Sequence, residues 1–150
     1  MSIAPLYTDE YFMNEALKEA QKAYDLEEVP VGAVVVAGDR IIARAHNLTE
    51  RLNDVTAHAE MQAITAAANA IGGKYLTECT IYITLEPCVM CAGALAWSQV
   101  SRIVFGAPDL KRGFSLLGNK LLHPKTEITG GILSEPCEKI IKEFFIQRRK

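Results

Sequence analysis

Long apolar runs are missing from the 150-residue sequence. The longest falls far short of the roughly 20 residues a membrane-spanning helix needs, which argues against a membrane protein. The N-terminal stretch "MSIAPLYTDEYF" lacks the basic start and apolar core of a signal peptide, so a cytoplasmic protein is expected. Cysteine is sparse, with only Cys79, Cys88, Cys91 and Cys137. A cytoplasmic setting argues against disulfides, so these four need another explanation, and only Cys88 and Cys91 are close in sequence. No internal repeat, low-complexity tract or linker occurs, which points to one domain over residues 1–150. Net charge is small at −2, and that alone argues against a nucleic-acid binder.

Hydrophobic content of 49% and charged content of 23% are those of an ordinary globular chain. A domain of this size buries roughly 68–70% of its unfolded surface. The charge is unevenly spread. Residues 1–100 hold 6 Lys/Arg against 13 Asp/Glu, whereas residues 101–150 hold 10 against 5. An acidic protein with one basic face is therefore permitted, although an unevenly solvated surface accounts for the same counts.

Residues 8–24 read as a helix capped by Thr8, with Phe12, Ala16, Ala20 and Ala23 forming one apolar stripe. "VPVGAVVV" (29–36) and "IIARAH" (41–46), joined by "AGDR", read as a hairpin. A polar loop follows. Residues 58–71 are Ala-rich and helical, closed by Gly72-Gly73. "TIYITL" (80–85) reads as a strand, and Pro87 is expected in the first turn of a helix running to about Ser98. "RIVFG" (102–106) is a further strand, 107–125 a long loop with a short helix near 115–122, "TEITG" (126–130) a last strand and 135–150 a final helix. Helices alternating with strands predict a three-layer α/β/α domain around a five-stranded mixed sheet, mostly parallel after the hairpin.

Two short stretches stand out chemically. Cys88 and Cys91, in "EPCVMC", lie three apart at a helix start, which puts both sulfurs on one face of the first turn. The positive end of the helix dipole favours thiolates there, and a thiolate pair suits Zn²⁺. A redox pair has the same spacing, but it leaves "TAHAEMQAI" (56–64) unexplained. His58 heads that helix and is a natural third ligand if the two helices pack side by side. Three protein ligands leave a fourth tetrahedral position for water, the mark of a catalytic zinc. Glu60, two residues on, can stand near the metal without binding it and carry protons. Plainer roles exist: an acid in a helix's first turn for Glu60, a cap or core histidine for His58. The combination H-x-E with P-C-x-x-C is far rarer by chance than either piece, and it matches the signature of zinc nucleobase deaminases. A structural zinc would need a fourth protein ligand. Cys79, Cys137, His46 and His123 are the remaining candidates, and none falls at a ligand spacing.

On these residues the sequence resembles the cytidine deaminase-like superfamily, and within it the bacterial tRNA-specific adenosine deaminases. "EVPVGAVVV", Asn47, "TAHAEMQAI", "YITLEPCVMCAGAL", "RIVFGAPD" and "FFIQRR" carry the resemblance across nearly the whole chain. It implies the three-layer cytidine deaminase-like fold, and hydrolytic conversion of adenosine to inosine at the anticodon wobble position of tRNA. It implies one zinc per subunit and a homodimer whose two subunits both touch an anticodon stem-loop. By resemblance His58, Cys88 and Cys91 are the ligands and Glu60 the proton shuttle. Asn47 would hydrogen-bond the purine and Val31 wall the base pocket, while Asp109, Phe145 and Arg148 would contact RNA.

The sequence departs from that family in "DLKRGFSLLGNKLLHPKTEI", which is shorter than its usual counterpart and lacks the small-residue "GAAGS" run. "AWSQVSR" also replaces a turn that usually holds histidine and arginine. Two other functions fit parts of the pattern. One is the same chemistry on free guanine, cytosine or nucleosides. The other is a non-catalytic, zinc-stabilised interaction module, which would close its zinc with four protein ligands.

Overall fold

Helix α1 (Asp9–Asp25) starts where its cap is expected: the Thr8 hydroxyl accepts a hydrogen bond from the Tyr11 backbone N–H at 3.1 Å. The computed structural model describes residues 7–148. Residues 1–6 and the end of the expected last helix, Arg149 and Lys150, lie outside the described residues. Phe12, Met13, Ala16, Ala20 and Ala23 form the buried stripe of α1. Glu15 and Glu19 are buried beside it and pair with Arg44 and His46. Those pairs fasten α1 to the second strand.

The sheet runs β2 (Arg40–His46), β1 (Gly32–Ala37), β3 (Cys79–Leu85), β4 (Arg102–Ala107), β5 (Glu127–Thr129). Strand β1 is antiparallel to both β2 and β3, and β3, β4 and β5 are parallel. This is the mixed five-stranded sheet expected, with the last strand only three residues long. Side chains alternate across it. Ala33, Val35, Ile81, Ile83 and Ile103 face helices α2 (Ala59–Ile71) and α3 (Val89–Ser98). Val34, Val36, Tyr82 and Val104 face α1 and α4 (Ser134–Arg148). Two cores on two sides of one sheet make the three layers.

Three boundaries differ from expectation, and each bears on function. Strand β1 begins at Gly32, not Val29. Pro30 has no N–H for a ladder, and the Val31 N–H turns back to the Val29 carbonyl at 2.9 Å. Residues 29–31 thus leave the sheet. Helix α3 begins at Val89 with Cys88 as its N-cap, so Pro87 precedes the helix instead of opening it. The Pro87 carbonyl accepts from the Phe114 N–H at 2.9 Å, and Cys88 bridges Gly113 in extended conformation. The 107–125 loop holds two short 3-10 turns, Phe114–Leu117 and Asn119–Leu121.

Helix α2 starts at one end of the sheet and leads down to β3, which returns to that end and hands over to α3. Both helix N-termini therefore stand at the carboxyl end of β3, the side of an α/β sheet where ligands bind. Gly72 ends α2 in the left-handed conformation, φ 73°, which suits a residue without Cβ.

Candidate active site

His58 is the N-cap residue of α2 and Cys88 that of α3, and neither side chain caps its helix. Both are turned toward each other instead. The His58 Nδ1 lies 3.7 Å from the Cys88 Sγ and 3.5 Å from the Cys91 Sγ, and the three donor atoms all lie within 4.8 Å of one another. Donors held tetrahedrally at Zn–N and Zn–S bond lengths are about 3.5–3.8 Å apart. The trio is therefore spaced as a metal site before any rearrangement. Among the described residues no further His, Cys, Asp or Glu joins the group. Cys79 opens β3, buried as a small hydrophobe. His46 pairs with Glu19, and His123 accepts from Lys125 in the loop. Cys137 is fully buried in the α4 core, where burial pushes its thiol up to about 12. The fourth protein ligand that a structural zinc needs is not among them.

The site's charges follow from its hydrogen bonds. The Cys91 thiol and His58 ring next to Cys88 hold its thiol down, to about 4. Cys91 is pushed the other way, as the donor of that pair and by burial. The Cys88 sulfur in turn raises His58. Glu60 sits in the first turn of α2 with 4% exposure, and burial pushes its carboxyl up to about 7.

Above these residues opens a cavity of about 250 Å³. Pockets for drug-sized ligands run to about 300–1,000 Å³, so this one suits a single ring system. His58, Ala59, Glu60 and Cys88 line its floor, and Val29, Val31, Asn47, Thr49, Leu85, Glu86, Asp109 and Arg112 complete it. The departure of residues 29–31 from the sheet is what puts Val31 in the wall. Asn47 is 7% exposed. Its Nδ2 donates to the Val29 carbonyl at 3.3 Å, while its Oδ1 has no hydrogen-bond partner among the described residues.

Of the residues singled out from sequence, His58, Glu60, Cys88, Asn47, Val31 and Asp109 line one cavity, and Cys91 stands against His58 beneath it. Phe145 and Arg148 do not line it. Phe145 is half-exposed against Phe144, and Arg148 lies over the Phe144 ring and donates to the Glu27 carbonyl. The structure adds two carboxylates that sequence reading passed over. Glu28, fully buried, accepts from the backbone N–H groups of Glu50 and Arg51 at 3.0 and 2.7 Å. Glu86 accepts from Asp109 N–H, Ser115 N–H and the Ser115 hydroxyl. Each fastens one loop of the cavity wall. Their one sequence signal is a charged residue beside an extended proline segment, "EVP" and "EP".

A donor trio of one imidazole and two thiols, with a dry acid beside it, defines a zinc-dependent hydrolytic site. The chain matches the family model for the cytidine and deoxycytidylate deaminase zinc-binding region over residues 6–107, and it belongs to that family. Within it, a curated relative, the tRNA-specific adenosine deaminase of Bacillus subtilis, is 47% identical over 147 residues, or 95% of this chain and 91% of that protein. A solved structure from work on A-to-I editing by tRNA deaminases at the wobble position superposes with a TM-score of 0.80. It is 40% identical and covers 86% of this chain and 97% of its own. A guanine deaminase structure from Bacillus subtilis is 35% identical with a TM-score of 0.65, covering 68% of this chain and 66% of its own. The fold is thus the cytidine deaminase-like one expected.

Proposed function

We propose that the chain deaminates adenosine to inosine at the anticodon wobble position of tRNA. The observation that carries this reading is the His58–Cys88–Cys91 trio under a base-sized cavity, in a chain 47% identical to a tRNA-specific adenosine deaminase along nearly its full length. These three side chains would hold one zinc per subunit. When bound, zinc supplies Lewis-acid polarisation that makes water a competent nucleophile near neutral pH.

The chain's own residues do the rest. A flipped adenine from a single-stranded anticodon loop enters the cavity at low unstacking cost. Val31 walls it, and the unpartnered Asn47 Oδ1 offers an acceptor to the base. Water attacks C6. Glu60 takes the water's first proton and delivers it to a ring nitrogen; it then takes the remaining hydroxyl proton and passes it to the amine, and ammonia leaves as the C6–N bond breaks and C6=O forms. Burial of Glu60 keeps that proton from bulk water. The reading includes one domain over residues 1–150, a cytoplasmic location and a homodimer. Val89, Met90 and Trp97 leave apolar surface exposed along α3, in keeping with a second copy. Among the described residues no helix is long and apolar enough to cross a membrane.

The test offers purified, zinc-loaded protein an anticodon stem-loop and, separately, free bases and nucleosides, and follows ammonia release. Turnover of the stem-loop alone is expected. A second reading, deamination of free guanine, draws on the 35% identical guanine deaminase structure. It predicts turnover of free base without RNA.

A further inference from the structure

Residues 109–115 have no part in the chemistry above, yet they are held with unusual care. The Asp109 carboxylate accepts from the N–H groups of Lys111 and Arg112, both at 3.0 Å, and the Gly113 N–H returns to the Asp109 carbonyl at 3.0 Å. That makes a tight turn. The buried Glu86 then ties both of its ends: Oε1 accepts from the Asp109 N–H at 3.1 Å, and Oε2 from the Ser115 N–H at 2.9 Å and hydroxyl at 2.7 Å. Gly113 lies so close to the Glu86 carboxyl that any Cβ there would collide with it. Phe114 plugs the core at 1% exposure, its ring edge-on to Phe105. Glu86 has no cation partner among the described residues, and the three hydrogen bonds it accepts all serve this turn.

Leu110, Lys111 and Arg112 are all exposed on this turn, and of the three only Arg112 lines the base cavity. Arg112 is exposed, has no ion pair or side-chain hydrogen bond among the described residues, and lines the base cavity. It also lines a second, more open depression on the other side of His58 and Cys88, walled by Val55, Val89 and Met90. A cation thus stands on the ridge where a strand must pass. The 250 Å³ cavity takes a base and leaves the sugar-phosphate outside. A guanidinium at that mouth has the planar, bidentate geometry that phosphate accepts.

We propose that Arg112 binds a backbone phosphate of the RNA strand beside the target nucleotide, and that Glu86 is the positioning residue that presents it. This rests on the reading of the site as an RNA deaminase.

Steady-state kinetics of the zinc-loaded enzyme on an anticodon stem-loop, over a series of salt concentrations, test this. Arg112→Ala should raise KM about tenfold or more with kcat within about twofold, and flatten the salt dependence of log KM by about one unit. Arg112→Lys should recover part of the loss, because charge persists without the fork. Glu86→Gln should raise KM similarly, and its effect should not add to that of Arg112→Ala in the double variant. Unchanged KM and salt slope in Arg112→Ala would overturn the phosphate assignment. Additive effects would overturn the role of Glu86. Wild-type enzyme that ignores the stem-loop would overturn the RNA reading and this proposal together, and that result is visible before any variant is made.

Discussion

Glu28 is the buried acid whose removal says most about how the cavity is built. It is fully buried, and its two oxygens accept from two successive backbone N–H groups, Glu50 at 3.0 Å and Arg51 at 2.7 Å. Both are charge-assisted bonds, each contributing about 1.5–3 kcal/mol. Glu50 and Arg51 are exposed, so water can replace part of what is lost. Glu28→Ala should therefore sit near the low end, about 3 kcal/mol for the pair. For a chain of this length that lowers Tm by about 6–12 °C. Glu28→Gln keeps one acceptor but sets an amide N–H against a backbone N–H, and should cost about half as much. The loop so released starts at Asn47 and carries Thr49, so KM should rise together with the loss of stability. Thermal unfolding of both variants, with KM measured well below either Tm, checks this. A Tm within about 1 °C of wild type for Glu28→Ala would refute the claim that the carboxylate holds the loop.

Further outcomes are expected. Glu60→Gln should keep zinc and fold, measured by metal analysis and thermal unfolding, while kcat falls at least 10²- to 10⁴-fold, the usual worth of a positioned proton carrier; near-normal turnover would remove Glu60 from that role. Asp9 receives two bonds from Arg102 and one from the Tyr82 hydroxyl, and Arg102 holds its carboxyl below the usual aspartate range. A folded value below the unfolded one adds stability that is complete above the unfolded value and lost as pH falls through the folded one. The stability gap between wild type and Asp9→Asn should hold steady from neutral pH to about pH 5 and close below about pH 4. A gap unchanged down to about pH 2 would contradict the ion pair's part.

Much of this molecule is written in local patterns, and the rest is not. Helix α1 was legible because a cap and a 3.6-residue stripe coincide at Thr8 and Phe12–Ala23. The metal trio was legible because two helix starts each carry a short motif, and adjacent crossover helices must bring their N-termini together. The extended state of 29–31 was not, since an apolar run reads as a strand until Pro30's missing N–H is weighed. Glu28 and Glu86 escaped for a deeper reason. Their partners are backbone N–H groups 22 to 29 residues away, and no side-chain pattern marks those. Arg112 looked like any loop cation until the turn around it placed it at the cavity mouth.

The proposed chemistry needs a zinc that His58, Cys88 and Cys91 would hold through one imidazole and two thiolates, leaving a fourth position for water. Zinc K-edge X-ray absorption on the metal-loaded protein tests it most directly. Two sulfur scatterers, one imidazole and one light scatterer that a substrate analogue perturbs are expected. A third sulfur or a second imidazole, closing the metal with protein, would contradict it.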